Sequence, residues 1–131
     1  MTFASTTSST VLGMPFADKV RVSHDPPLDT DGPVDGARLS AIALAEMEAL
    51  DRAFARPPER QQSKTVEGRF VTMRNVLRGV LVDGSAIDYQ TEVALEIDNG
   101  LIVAIRSRMD AGSTAQHRRA LAAGNFKRPP G

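Results

Sequence analysis

Between Lys64 and Asp110 the chain runs through four segments of mostly alternating apolar and polar residues, KTV, FVTMRNVLRGVLV, YQTEVALEI and LIVAIRSRMD. The breaks between them, Glu67-Gly68, Asp83-Gly84 and Asp98-Asn99-Gly100, carry the residues that tight hairpin turns require. Such a pattern predicts a curved antiparallel sheet with one packed and one polar face. Val71, Met73, Asn75 and Leu77 are expected on the packed face. Tyr89, Thr91, Val93, Leu95 and Ile97 join them from the next strand, and Leu101, Val103, Ile105, Ser107 and Met109 from the last. The other face carries both signs of charge, so Glu92 or Glu96 is expected to pair across strands with Arg74, Arg106 or Arg108.

A sheet with one apolar face needs a cover, and the chain upstream supplies it. Gly36 to about Arg56 reads as a helix, with Leu39, Ile42, Met47, Leu50 and Phe54 as its apolar stripe. Glu46, Glu48, Asp51 and Arg52 fall mostly away from that stripe. Asp35 is placed to cap the start, and Pro57-Pro58 ends the helix. Before it, Val20 to His24 alternates as a strand that stops at Asp25-Pro26-Pro27. Val11 to Ala17 fits either the last turn of a helix or the approach to that strand. LDTDGPVDG is a loop by composition. After the sheet, Ser113 and Gln116 have capping-box spacing, which predicts a short helix from Ser113 to Ala123 ended by Gly124 in the left-handed conformation. The plan is a flexible arm over residues 1–13, one domain over 14–126 and a tail over 127–131.

The chain is 131 residues long, and its 16 Lys and Arg balance 16 Asp and Glu. Zero net charge argues against nucleic acid as a partner. His117-Arg118-Arg119 and Lys127-Arg128 read as solvated helix-end and tail charges. With no cysteine there is no disulfide, thiolate metal site or cysteine nucleophile, which fits a reducing compartment, so a cytoplasmic protein is expected. No apolar run approaches membrane-spanning length, and the Ser/Thr-rich start has neither a signal nor a transit pattern. Two distant histidines make no metal-binding motif, and no serine triad is suggested.

In order and spacing, PFADKVRVSHDPP, LRGVLVDG and EIDNGLIVAIRSRMD resemble the cone-shaped superfamily named after nuclear transport factor two. That group includes the SnoaL-like polyketide cyclases, ketosteroid isomerases and limonene epoxide hydrolases. The resemblance covers about Phe16 to Phe126. It implies an α+β fold in which the sheet wraps around one long helix as a cystatin-like barrel, followed by a short C-terminal helix. It also implies a cofactor-free site between helix and sheet for a small apolar or carbonyl-bearing ligand, and a homodimer through the sheet face. Members usually begin with helices that close the mouth of the cone; here the first is expected to be missing.

By the same resemblance, Asp25 matches the aspartate before a proline that serves the isomerases as a base. In an apolar pocket such a carboxyl is held above its usual range and becomes a better base. Strand alternation lets only one of Asp25 and His24 point inward. Otherwise the two are a strand-end histidine and a turn-capping aspartate. Asn75, among apolar neighbours, either bonds protein groups or meets a ligand carbonyl. Ser107 offers a small hydroxyl. Tyr89 lines the pocket or caps the core. Met73, Val93 and Met109 are soft lining or core. The isomerases' second carboxyl falls near Val93, and of the hydrolases' Asp-Arg-Asp set only the arginine has a match, Arg74. Two readings stand together: a cofactor-free isomerase, cyclase or hydratase with Asp25 or His24 as base, or a non-catalytic ligand-binding or dimerisation module.

Overall fold

The computed structural model describes residues 10–11, 14–28 and 30–129. The expected N-terminal arm lies outside them except for β1, Thr10–Val11. β2 spans Met14–Asp25 and β3 Gly32–Asp35. The long helix α1 follows at Gly36–Ala53. Then come β4, Glu59–Glu67, β5, Phe70–Val80, β6, Ala86–Asp98, and β7, Leu101–Arg108. The chain continues into α2, Ala111–Ala123. The strand order is β1-β2-β7-β6-β5-β4, with β3 also paired to β2. The sheet is curved and not closed.

One pairing departs from the antiparallel expectation: β2 and β7 run parallel. Hairpin turns dictate the direction of neighbours such as β6 and β7, but no turn joins β2 to β7. The chain crosses through α1 to the far edge and returns by three hairpins, and that path sets their relative direction. β3 lies in the stretch read as a loop, where Gly32 and Pro33 hid it. β2 begins at Met14, so the strand alternative holds for Val11 to Ala17. β4 begins five residues ahead of the expected KTV, and all nine of its residues are exposed. Without a buried face its sequence carries no alternation.

Phase also changes within β7. Glu96 opposes Ala104 while Ile97 opposes Ile102, so Val103 is the extra residue of a β-bulge. In consequence Ile102, not Leu101, is fully buried, and Leu101 is exposed. Beyond the bulge the expected phase returns, with Ile105 opposite Leu95 and Ser107 opposite Val93.

Both helices begin on an aspartate. Asp35 stands at the start of α1, but its carboxylate takes Lys19 Nζ at 2.6 Å and caps nothing. α2 starts two residues before the expected Ser113, because Asp110 accepts from the Ser113 amide at 2.7 Å. The left-handed residue after α2 is Asn125 (φ 57°), not Gly124. Beyond the end of β7, β6 keeps β5 as its neighbour on one side only, and α2 takes up the amides on the other. Gln116 Oε1 accepts from the Asp88 amide at 2.7 Å, and Ser113 Oγ from that of Gln90 at 3.3 Å.

The core has two parts. Ala53, Phe54, Leu77, Leu81, Ile87, Tyr89 and Ala120 pack where α1 ends against α2, with Leu50 and Ala123 at their edge. Val71, Met73, Leu95 and Ile102 pack at the opposite end, with Met14, Phe16, Val93, Ile97 and Ile105 beside them. The inner line of α1 is the expected one only in part, since Leu50 and Phe54 join the core but two alanines lie deeper. Ala49 and Ala53 are fully buried, whereas Met47 is 47% exposed. Small residues win there because α2 approaches closely.

Candidate functional site

Strand register brings four of the sequence candidates into one row. Met73 opposes Val93, Val93 opposes Ser107, and Ser107 opposes His24. Side chains of opposed residues share a face, and each strand is about 4.8 Å from the next. His24 and Ser107 are therefore neighbours on the concave side. The next row reads Gln62, Asn75, Thr91. Asn75 Oδ1 accepts from Gln62 Nε2 at 2.7 Å, and Asn75 Nδ2 faces Thr91 Oγ1 at 3.5 Å. The amide thus links three strands.

His24 is held from the β2–β3 connection. Its Nδ1 meets Asp31 Oδ1 at 2.5 Å, and its backbone amide donates to Asp31 Oδ2 at 3.1 Å. The Leu28 amide adds a third bond to that carboxylate at 3.2 Å. These bonds, the one from the His24 ring foremost, hold the Asp31 carboxyl below the usual range. The ring is half-buried. A carboxylate on Nδ1 fixes the proton there and makes Nε2 the acceptor nitrogen.

Asp25 turns the other way. It opposes Arg108, accepts from Arg108 Nε at 3.1 Å, and has Arg106 Nη2 at 3.9 Å. Arg108 reaches Glu92 at 3.6 Å, and Glu92 reaches Arg74 at 3.0 Å. An ion-pair ladder thus crosses β2, β7, β6 and β5 on the outer face. Glu92 pairs as expected, while Glu96 instead takes Arg21 at 2.8 Å and Arg69 at 3.5 Å.

Tyr89 belongs to the core beside α2. Its hydroxyl meets His117 Nδ1 at 2.8 Å with the rings edge to face. Burial pushes the phenol up to about 12 and lowers His117, so the imidazole is neutral and accepts. His117 is therefore no solvated helix-end charge. Met73 is buried, and Val93, Ser107 and Met109 are half-buried.

Sequence reasoning missed Asp31 and Glu46. Asp31 lay in a stretch read as loop; its signal was a carboxylate set just across a Pro-Pro turn from His24. Glu46 stands three and seven residues before the buried Ala49 and Ala53, the spacing of one helix face. Burial holds its carboxyl above the usual range, opposed by the positive charges of Arg128 and His24. Its own charge also acts on Tyr89. Two clefts of about 290 and 400 Å³ lie elsewhere, one on the outer face and one where that face meets the start of α2. Ser63, Thr65, Thr72 and Arg74 line the first; Arg78, Asp88 and Asp110 are among those lining the second. Among the described residues no cluster of His, Cys, Asp or Glu is disposed to hold a metal ion, and no helix is long and apolar enough to cross a membrane.

A curved sheet with a long helix across its concave side defines an α+β cone. Solved structures share this fold. A protein described as a SnoaL-like polyketide cyclase from Jannaschia sp. CCS1 is 18% identical, covering 88% of this chain and 75% of its own, with a TM-score of 0.53. One with a ketosteroid isomerase-like fold from Catenulispora acidiphila, in complex with trimethylamine, is 11% identical over 79% of this chain and 76% of its own (TM-score 0.51). A de novo designed protein of the nuclear transport factor two fold is 19% identical over 82% and 72% (TM-score 0.51). The chain has the cone fold of the nuclear transport factor two superfamily. No protein-family model and no curated protein matches its sequence.

Proposed function

We propose that the concave side is a site for a small apolar or carbonyl-bearing ligand, and that His24 is its general base in a cofactor-independent isomerisation, cyclisation or hydration. The observation that carries this reading is the His24–Asp31 pair, set in one row with Ser107, Val93 and Met73. Asp31 holds the imidazole in a single tautomer and stabilises the cation formed when Nε2 takes a proton. Ser107, opposite His24 in the strand register, offers a hydroxyl on that face. Apolar Met73 and Val93 would hold the ligand body. Asp25 is spent on Arg108, so it is not the base in this reading.

The test is a thermal-shift screen with ketosteroids, lactones and polyketides, followed by turnover assays on whatever binds. His24→Gln should abolish turnover and leave binding within a few-fold. Binding without turnover by the parent chain would instead favour a non-catalytic binding module, which the commitment of Asp25 and Asn75 to protein partners supports. The same reading takes the protein as cytoplasmic and as a homodimer through the mixed-charge outer face. A monomer by light scattering would remove the second element.

A further inference from the structure

The two edges of the sheet are built differently. β1 is two residues long, and β3 is four, with Gly32 and Pro33 at its start. Shortness and proline are two of the devices that keep a sheet edge from pairing with another chain. β4, at the other edge, has neither. It pairs with β5 over nine consecutive residues, Glu59 to Glu67, with no bulge and no proline. All nine are exposed, so among the described residues nothing covers this edge.

The hairpin register fixes what β4 offers. Glu67 opposes Phe70 across the two-residue turn Gly68-Arg69. The pair that closes such a turn exchanges both of its backbone bonds. Alternation then gives Thr65, Ser63, Gln61 and Glu59 to β5, and it turns the amides and carbonyls of Val66, Lys64, Gln62 and Arg60 outward.

A second β4, related by a two-fold axis perpendicular to the sheet, runs antiparallel and keeps every side chain on its own face. Ser63 is the middle residue of the strand, so only an axis there pairs its whole length. That register sets Ser63 opposite its own equivalent, Gln62 opposite Lys64 of the second copy, and Gln61 opposite Thr65. Arg60 comes opposite Val66, whose 61% exposed side chain then lies under an arginine stem. Glu59 and Glu67 meet only at the strand ends, where Arg78 Nη1 stands 3.4 Å from Glu59. An axis at Gln62 would instead set Arg60 against Lys64, and an axis at Lys64 would set that lysine against itself. Like charges directly opposite are destabilising, so charge as well as length selects the register about Ser63.

We propose that β4 is an interaction edge for a second copy of this chain, joining two sheets antiparallel about Ser63 through about eight backbone bonds. This contact is separate from the outer face and does not depend on any ligand site.

The chain has no cysteine, so single cysteines read the register directly. Ser63 would form a non-hydrogen-bonded pair with its equivalent, at about 4.5 Å between Cα atoms, within disulfide range. Under mild oxidation Ser63→Cys should be captured as a dimer, whereas Lys64→Cys, offset from its equivalent by two residues, should not. Gln61→Cys and Thr65→Cys should cross-link to each other when mixed, and neither to itself. Sedimentation over a concentration series supplies the second reading. Gln62→Pro removes an outward amide from each copy while sparing the bonds to β5, and should weaken association about ten-fold or more. Ser63→Lys, a change at an exposed position, sets two cations on the axis and should weaken it about five-fold or more even if the proline variant fails to fold. Capture of Lys64→Cys as fast as Ser63→Cys would overturn the proposal. So would a dimer unchanged in Ser63→Lys, which would place the contact on another face. A monomeric parent with no preferential capture at Ser63→Cys would overturn self-pairing and leave the edge to an extended peptide of another protein.

Discussion

The Tyr89 hydroxyl and His117 Nδ1 lie 2.8 Å apart between β6 and α2, and they close the core where the two helices meet. With the imidazole neutral, the phenol donates. Tyr89→Phe would leave a buried ring nitrogen without a donor, at a cost of about 1–2 kcal/mol. Chemical denaturation of the variant checks this.

The same pair gives a pH signature at both ends of the scale. The folded phenol sits at about 12 against an ordinary 10.0, so the native state binds more protons between those values and stability falls as pH rises through them. Tyr89 is the only tyrosine, so ultraviolet titration of the folded chain reads it alone. His117 is lowered, so the unfolded chain takes the proton first as pH drops through the ordinary value of 6.5, and stability falls with it. His117→Gln should flatten that acid limb.

Gly124 gives a steric prediction. A Cβ there would lie 1.8 Å from the Ala49 carbonyl oxygen, which is backbone and cannot swing aside. Gly124→Ala should therefore push α2 off α1 and cost about 3 kcal/mol or more, at or beyond the upper end of overpacking effects. At Gly112 the nearest atom is 3.6 Å away, and Gly112→Ala in the same denaturation series should be nearly neutral.

These features explain what the sequence made legible. Hairpin turns and period-two alternation are local, so β5, β6 and the Asp-Asn-Gly turn could be read directly, and Asn99 and Gly100 do carry the positive φ that turn needs. The parallel β2–β7 contact is not local. Neither is the Val103 bulge, which swaps Leu101 for Ile102 in the core without any mark in composition. β4 was cut short because an edge strand with no buried side chain has no pattern to show. Within the site, alternation could say that His24 and Asp25 face opposite ways, but not which one faces inward. The register with Ser107 and Arg108 decides that, and it also sends Asp25 into the outer ladder. Glu46 falls away from the apolar stripe because that stripe runs through large residues, whereas the close helix contact is made by Ala49 and Ala53.

Glu46 yields a stability prediction. Its carboxyl is raised by burial, so the native state binds more protons than the unfolded chain between the ordinary and the folded value. Stability is then lost as pH rises through that interval, and at neutral pH the charged form carries the cost of burial. Glu46→Gln removes that charge at constant shape. Its melting temperature should exceed the parent's at neutral pH, with the difference closing at a pH below the ordinary glutamate range. A variant less stable at neutral pH would mean that attraction to Arg128 and His24 outweighs desolvation.

The His24–Asp31 pair behaves in the opposite sense. Asp31 is held below its usual range, so it contributes stability that is fully present above the ordinary aspartate value and is lost as pH falls through the folded one. Asp31→Asn should melt earlier at neutral pH and lose that advantage gap in acid, where the parent's carboxylate is also protonated. On the functional side, asparagine still meets Nδ1 but with a neutral oxygen, so the ring keeps its tautomer and loses the charge that stabilises its cation. Any turnover assigned to His24 should therefore drop in Asp31→Asn at neutral pH, while ligand affinity changes little. If turnover is alike in both proteins, the pair is only a clasp for the β2–β3 connection, and His24 should no longer be regarded as the base.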